Sequence, residues 1–165
     1  AAGGVGHLAV RLAREMGAER VVAAVSDRGK AAFLHDLGAD AVVAYDEDWG
    51  EPVDVVVDGV GGTVQAAALR ALAPLGRLVC YNAVGGAVDA NELRVHGQSL
   101  IGFAMRPFVA HRPEEYERHR RELWDLYARG RLTTAVHRTL PLEDAAEAHR
   151  IIERRENRGK VVLRP

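Results

Sequence analysis

The sequence predicts an α/β fold class in which a parallel β-sheet is covered by helices on both faces. Three observations support this prediction. Strand-like and helix-like segments alternate along most of the 165 residues. The strand-like segments are short, continuous apolar runs, the pattern of parallel strands that are buried on both faces. The connections between them are short, as in sheets built from right-handed crossovers.

Each element is predicted from the spacing of its apolar residues and from the residue that ends it. Helices are predicted for 5–16, 28–37, 63–73, 113–129 and 141–155, and strands for 21–25, 41–44, 53–58, 77–81, 99–105, 134–140 and 160–163. Gly17 and Gly38 follow the first two helices, where a left-handed cap is expected, and Pro74 follows the third. The segment between residues 86 and 99 is expected to be a polar loop.

Composition and charge exclude several classes of protein. The 22 basic and 23 acidic side chains leave a net charge of −1, which gives no indication of a nucleic-acid or membrane partner. No apolar run approaches the roughly 18 residues that a membrane-spanning helix needs. The single cysteine, Cys80, cannot form an internal disulfide and points to a reducing compartment. We therefore expect a globular, cytoplasmic protein.

A glycine-rich turn opens the first predicted helix. Residues 1–6, Ala-Ala-Gly-Gly-Val-Gly, fit the dinucleotide-binding fingerprint with alanine in place of its first glycine. Gly3 would let the backbone approach a pyrophosphate, Gly6 would let the helix pack closely, and free N–H groups at the helix start would attract the anion. The motif predicts a Rossmann-type doubly wound sheet. The alternative is that these are merely small residues in a tight turn.

The strand that should lead into this turn is missing from the sequence. In a doubly wound sheet that strand is central, and the backbone groups of its neighbours need it as a hydrogen-bonding partner. We therefore expect an N-terminal truncation that removes the first strand of the sheet, so that the chain is a fragment of a longer protein.

The end of the strand at 21–25 bears on cofactor preference. NAD-specific sites place Asp or Glu there to bind the ribose hydroxyls, whereas NADP sites replace that carboxylate by cations or hydroxyls. The position holds Ser26, and Arg28 and Lys30 follow within reach of a bound phosphate. The pattern favours NADP. Asp27 takes the ribose role if the turn is one residue longer, which leaves NAD as the alternative.

Six segments, in order along the chain, resemble the medium-chain dehydrogenase/reductase superfamily. They are 1–13 (Ala-Ala-Gly-Gly-Val-Gly-His-Leu-Ala-Val-Arg-Leu-Ala), 36–40, 53–62 (Val-Asp-Val-Val-Val-Asp-Gly-Val-Gly-Gly), 76–79, 141–149 and 159–163 (Gly-Lys-Val-Val-Leu). The chain is most similar to the NADPH-dependent quinone oxidoreductases of the zeta-crystallin-like branch. The resemblance implies hydride transfer from NADPH to a quinone or another electron-poor alkene or carbonyl, with this chain as the cofactor-binding part, inactive alone.

The resemblance also implies which residues bind the cofactor. Ser26, Lys30 and Tyr45 match a Ser, a Lys and a Tyr that hold the 2′-phosphate, and Arg155 matches an arginine near the cofactor. Residues 82–85 and 102–105 match segments that line the nicotinamide. With the glycine turn, the expected cofactor-binding residues are Ala2, Gly3, Gly4, Val5, Gly6, Ser26, Arg28, Lys30, Tyr45, Asn82, Ala83, Val84, Phe103, Ala104, Met105 and Arg155. No catalytic residue is assigned.

The family has a second domain, a distorted β-barrel built mostly from an N-terminal part that this sequence lacks. The resemblance implies that residues 1–132 form the dinucleotide-binding Rossmann domain and that residues 133–165 return toward the barrel. Members of this branch usually pair through the edge of the Rossmann sheet. We therefore expect a homodimer through residues 99–105, because an unpaired apolar edge would invite aggregation.

The sequence leaves four alternative functions open. A zinc-type alcohol dehydrogenase, an enoyl reductase unit of a synthase, a non-catalytic nucleotide-sensing module and, less favoured, a methyltransferase are the alternatives. Glu115 and His119 lie one helical turn apart without an evident third ligand, so zinc is not expected in this chain. We expect His7 on the helix surface, Cys80 as a structural thiol, and Asp58 to orient the loop that follows it.

Overall fold

The computed structural model describes residues 1–82 and 86–165. Its helices are α1 (Gly6–Glu15), α2 (Ala31–Asp36), α3 (Thr63–Arg70), α4 (Ala90–His96), α5 (Met105–His111), α6 (Pro113–Ala128) and α7 (Ala145–Glu153). Its strands are β1 (Val22–Val25), β2 (Ala41–Ala44), β3 (Val53–Asp58), β4 (Leu72–Cys80), β5 (Ser99–Gly102), β6 (Val136–Pro141) and β7 (Lys160–Arg164). Among these described helices, none is both long enough and apolar enough to cross a membrane.

The described chain divides into two compact units. The first unit contains residues 1–44 and 121–165, and the second contains residues 45–120. All strand pairs are parallel: β1 with β2 and β6 with β7 in the first unit, and β3–β4–β5 in the second. The predicted α/β class with parallel strands is therefore confirmed. The predicted domain boundary after residue 132 falls inside the first unit and stays a prediction.

The first unit has two apolar cores because its helices are amphipathic and its strands are apolar. α1 and α2 bury one face against β1 and β2, and α7 buries its apolar face against β6 and β7. The buried members of the larger core are Ala2, Val10, Val21, Ala23, Val25, Leu34, Leu37, Ala39 and Val42, and those of the smaller core are Leu140, Ala148 and Ile151. Burying such side chains stabilises a fold by roughly 25 cal/mol per Å² of apolar surface.

The second unit has a smaller core, which lies on one face of its sheet. Ala68 of α3 packs there with Leu72 and Leu78 of β4. The opposite face of the sheet carries Val55 and Val57 of β3, which are exposed. Most stabilising burial in this unit therefore comes from contacts between α3 and β4.

Two helices were missed, and two predicted boundaries were wrong. α4 lies in the predicted polar loop, where the Asp89 side chain accepts a hydrogen bond from the Asn91 amide (2.8 Å) and Gly97, with φ +64°, ends the helix. β5 ends at Gly102, and α5 begins where the strand was expected to continue. β4 begins at Leu72, inside the predicted helix 63–73. Neither α4 nor α5 has a buried residue, so neither produces an apolar periodicity in the sequence.

Candidate functional site

The glycine turn of residues 1–6 leads into α1 and is held by main-chain bonds. The Ala1 nitrogen donates to the Ala24 carbonyl of β1 (2.6 Å), and the Ala2 carbonyl accepts from the Gly159 amide (2.8 Å). A Cβ added to Gly6 would overlap the Ala1 carbonyl oxygen, whereas one added to Gly3 would meet no described atom within 4 Å. The turn therefore requires glycine at position 6, where the Ala1 main chain approaches closely, and is open at position 3.

The start of α1 is electrostatically suited to an anion. Within the described structure, Val5 provides no side-chain cap and the first turn of the helix contains no acidic residue. The amides of His7, Leu8 and Ala9 donate to the carbonyls of Gly3 and Val5, so the donors that can meet an anion are those of the turn itself, at the positive end of the helix dipole. Lys160 adds a full charge, because its Nζ lies 3.1 Å from the position of a Cβ on Gly4. Main-chain donors and one ammonium thus converge on the open side of the turn.

Lys160 was not among the predicted cofactor-binding residues. It entered the sequence analysis only as part of the segment 159–163. Its contact with Gly4 joins residues at opposite ends of the sequence, which local patterns do not indicate. One signal was available: the chain's only lysines are Lys30 and Lys160, and all its other basic side chains except histidine are arginine.

The loop after β1 is surrounded by basic side chains. Ser26 is exposed directly after the strand, and Arg28 begins a short 3₁₀ turn, Arg28–Lys30. Lys30 is buried and its Nζ donates to the carbonyl of Arg155, whose φ is +55°. Burial is the main cause that lowers the pKa of Lys30, and the charges of Arg158 and Arg155 lower it further, against the opposing effect of Asp27.

Arg158 is a second residue that the sequence analysis missed. Its guanidinium Nη2 donates to the carbonyl of Gly29 (3.1 Å), so it lies at the same loop as Arg28 and Lys30. Asp27, the candidate for an NAD-type ribose contact, accepts from the Gly29 amide through Oδ1 (2.8 Å) and caps the 3₁₀ turn. Its carboxylate therefore has a local structural bond.

Tyr45 belongs to the second unit, where it directly follows β2 of the first. It is half-buried. Its predicted role at the 2′-phosphate stays a prediction, as do the roles of Ser26, Arg28, Lys30 and Arg155.

In the second unit, the ends of β4 and β5 line a cavity of about 350 Å³. Its lining residues are Cys80, Tyr81, Asn82, Gly102, Phe103, Ala104 and Pro107. The structure thus brings together three residues that were predicted to contact the nicotinamide, Asn82, Phe103 and Ala104. Met105, also predicted, is exposed at the start of α5 and is not a lining residue. Ala83 and Val84 lie outside the described residues.

Buried polar groups lie beside this cavity. Asp58 is buried, and its Oδ1 accepts from the amides of Val60 (2.8 Å) and Gly61 (3.1 Å), so it orients the loop after β3 as predicted. The Cys80 thiol accepts a hydrogen bond from Gln65 Nε2 (3.2 Å). Burial raises the pKa of Tyr81, and the charge of Asp58 adds to this effect. The tyrosine therefore remains a neutral phenol at neutral pH.

His7 was wrongly predicted to lie on the surface of α1. Its side chain is 0% exposed. Its Nδ1 lies 2.9 Å from the Gly3 carbonyl oxygen, and its Nε2 lies 3.2 Å from the Ala135 amide nitrogen. The prediction failed because it considered the helix alone, whereas the segment that leads into β6 covers this end of α1.

Comparison with known proteins assigns the family. A family model described as zinc-binding dehydrogenase matches residues 37–163. The chain belongs to the zinc-binding dehydrogenase family. Over its whole length this family member is 32% identical to a 2-haloacrylate reductase from a Burkholderia species and to quinone oxidoreductase 1 from Escherichia coli. It covers 54% and 55% of those proteins, so it spans about half the length of the curated relatives it matches.

Solved structures agree with this assignment. A mycobacterial protein in complex with NADPH shares 34% identity with a TM-score of 0.88, over 99% of this chain and 54% of that one. A mycobacterial quinone oxidoreductase shares 33% identity with a TM-score of 0.82, over the same shares of the two chains. The predicted membership of the medium-chain dehydrogenase/reductase superfamily and the Rossmann-type fold class are confirmed.

Membership of a zinc-binding dehydrogenase family raises the question whether this chain holds metal ligands. No group of three or more His, Cys, Asp or Glu side chains suited to a metal occurs in 1–82 or 86–165. Glu115 pairs with Arg112 (3.2 Å), and the His119 ring stacks on Phe108 with centroids 6.3 Å apart. Glu115 and His119 therefore both make contacts within their own unit.

Proposed function

We propose that the protein containing this chain is an NADPH-dependent oxidoreductase that transfers hydride to a quinone or to another electron-poor alkene or carbonyl. The described residues supply its cofactor-binding part. One observation carries the proposal: the open glycine turn, the uncapped start of α1 and the Lys160 ammonium converge in one unit. Relatives named as a quinone oxidoreductase and a 2-haloacrylate reductase, and a neighbour solved with NADPH, support it.

The glycine turn suits the cofactor's pyrophosphate. The space at Gly3 lets a ligand approach the main chain, and the amides of the turn that leads into α1 would be donors for its oxygens. Lys160 contributes a cation beside Gly4. Because the first turn of α1 has no acidic residue in the described structure, nothing there repels the diphosphate.

The loop after β1 suits the 2′-phosphate of NADPH better than the free ribose of NADH. Arg28, Lys30 and Arg158 place positive charge around it, and Ser26 would add a hydroxyl donor. Asp27, which an NAD site would need at the ribose, caps the 3₁₀ turn through its bond to the Gly29 amide. Arg155 contributes through the carbonyl that holds Lys30.

The cavity of the second unit suits the nicotinamide. When bound, the cofactor supplies the hydride. The chain's own part is to orient the ring, for which Phe103 and Ala104 offer apolar surface and Asn82 an amide. Asp58 and Gln65 fix the main chain and the thiol at the edge of this cavity.

The proposed assembly is a cytoplasmic homodimer that pairs through residues 99–105. In the described structure β5 pairs with β4 alone, and Leu100 and Ile101 on it are 38% and 41% exposed. Pairing with a second copy would cover this edge. The single, unpaired thiol of Cys80 agrees with a reducing compartment.

Titration of the full-length protein with NADPH and NADH, followed by nicotinamide fluorescence, tests the cofactor assignment. We expect tighter binding of NADPH. Tighter binding of NADH would overturn the assignment of Ser26, Lys30 and Tyr45, and failure to bind either would favour a non-catalytic nucleotide-sensing module. A turnover assay then offers a quinone, an enone, an enoyl thioester and an alcohol. Reduction of the quinone or enone supports the proposed acceptor, and exclusive use of the thioester or the alcohol rejects it.

A further inference from the structure

The hydrogen bonds of His7 determine its protonation state. An amide N–H only donates, so Nε2 accepts from Ala135 and carries no proton. Nδ1 therefore carries the proton and donates to the Gly3 carbonyl. The ring is neutral, with both nitrogens bonded to main chain. It connects the glycine turn to the segment that leads into β6.

The same residue that bonds to His7 also holds the start of β7. The carbonyl of Ala135 accepts from the Lys160 amide (2.9 Å). Gly159, with φ +91°, packs so tightly there that a Cβ would overlap the Ala135 carbonyl oxygen. Its amide in turn donates to the Ala2 carbonyl. A closed set of bonds thus runs from the glycine turn through His7 and Ala135 to Lys160, whose ammonium lies over Gly4.

We propose that His7 is a positioning residue for cofactor binding: through Ala135 it holds Lys160 over the glycine turn. The inference rests on the proposed function, because the position of Lys160 matters to a ligand only if a diphosphate binds at the turn. His7 itself is buried beneath the turn and does not need to touch the cofactor.

A pH dependence follows from the geometry. A proton on Nε2 would face the Ala135 amide proton, so the bond between them would be lost. The charged groups that face the ring are Arg11 on α1 and Lys160 on β7, both positive. Burial is the main cause that lowers the pKa of His7, these two cations lower it further, and the Gly3 bond opposes them. The ring is therefore neutral at neutral pH and becomes charged on acidification.

Acidification is expected to lower the stability of the fold through His7. The folded pKa lies below the ordinary value of 6.5. The contribution of His7 to folding is therefore complete above that value and declines as the pH falls below it. Cofactor affinity is expected to decline at lower pH, near the folded pKa, because the native ring then takes up a proton and the His7–Ala135 bond that supports the position of Lys160 is lost.

The test uses the full-length protein and three variants. His7→Leu fills the buried volume but makes neither hydrogen bond. His7→Gln retains an acceptor that is long enough to reach the Ala135 amide, and it does not titrate. His35→Leu is the matched control, since the His35 ring also bonds to a main-chain carbonyl four residues away (Ala39, 2.8 Å) but on the exposed side of α2.

Dissociation constants are measured by fluorescence from about pH 5 to about pH 8, with thermal unfolding alongside. NADH is used for the pH profile, because the 2′-phosphate of NADPH itself titrates at about pH 6. We expect His7→Leu to weaken both NADPH and NADH about tenfold at neutral pH, the scale of one lost hydrogen bond. His7→Gln should restore most of the affinity and remove the acidic decline. His35→Leu should bind like the wild type.

A double-variant cycle shows whether His7 acts through Lys160. In a Lys160→Met background, His7→Leu should have little further effect on affinity. An equal loss in both backgrounds, or an acidic decline that persists in His7→Gln, would overturn the proposal and reduce His7 to a residue of the fold. If the wild type binds neither cofactor, the proposed function itself has failed. These outcomes are distinguishable, including when His7→Leu does not fold, because His7→Gln then provides the pH profile.

Discussion

The candidate regions of the two units differ in the groups that form them. In the first unit, the glycine turn consists of main chain that is held by other main chain, at Ala24 and Gly159. In the second unit, the cavity is lined by side chains, among them the exposed Phe103 and Asn82. Main-chain donors cannot be altered by most substitutions, whereas side chains can. Substitutions are therefore expected to affect the glycine turn mainly through its glycines, and the cavity through each of its lining side chains.

The largest effect is expected from Gly6→Ala. The added Cβ would overlap the Ala1 carbonyl, so we expect a loss of unfolding free energy of about 3 kcal/mol, the upper end for overpacking. Gly3→Ala is the matched control and should unfold like the wild type, because its Cβ would meet no described atom within 4 Å. Urea unfolding of the full-length protein measures both. Equal stability of the two variants would contradict the close approach at Gly6.

The next effect concerns Lys160. Replacing its ammonium in Lys160→Met should weaken NADPH and NADH alike by about 1.5 to 3 kcal/mol, the scale of a hydrogen bond to a charged group. The loss is common to both because the pyrophosphate is common to both. Arg164→Met, an exposed position at the other end of β7, is the control. A loss confined to NADPH would move Lys160 from the pyrophosphate to the adenosine end.

Lys30→Ala should separate the two cofactors. We expect NADPH to weaken by about 1.5 to 3 kcal/mol and NADH to remain nearly unchanged, because only NADPH has the 2′-phosphate. Lys30 also donates to the Arg155 carbonyl, so a general structural loss would affect both cofactors. Arg158→Met removes a charge from the same loop but leaves the bond between Lys30 and Arg155 in place. It should also weaken NADPH more than NADH, by a smaller amount than Lys30→Ala. Fluorescence titration of both variants decides between these readings.

The smallest effect should be seen at Cys80, which lines the cavity of the second unit. NADPH is expected to slow alkylation of this thiol by a maleimide several-fold. Adenosine 2′,5′-bisphosphate, which lacks the nicotinamide, should give no protection. Equal protection by both compounds would contradict a nicotinamide site at this cavity.

The comparison of the two units also shows how far the sequence could predict the structure. α1, β1 and β3 were placed to within a residue or two because each has an apolar pattern that is required for burial. α4 and α5 bury nothing and have no such pattern. Two signals for α4 were present in the sequence: Asp89 can cap the start of a helix, and Gly97 can end one. The prediction of a polar loop did not use them.

The candidate site was predictable where its residues are close in sequence, and not where distant segments meet. The open Gly3, the tight Gly6 and the local bonds of Asp58 follow from motifs of a few residues. Lys160 and His7 could not be assigned in the same way, since His7 meets Ala135 across 128 positions of sequence. Such contacts depend on how β6 and β7 fold back onto α1, which no local pattern specifies.

The central claim is that the glycine turn of residues 1–6 binds the cofactor's diphosphate. A crystal structure of the full-length protein with NADPH tests it most directly. We expect the pyrophosphate oxygens to accept hydrogen bonds from the amides of the turn that leads into α1 and to lie beside the Lys160 ammonium. A pyrophosphate bound elsewhere, with this turn empty or covered by a protein side chain, would contradict it.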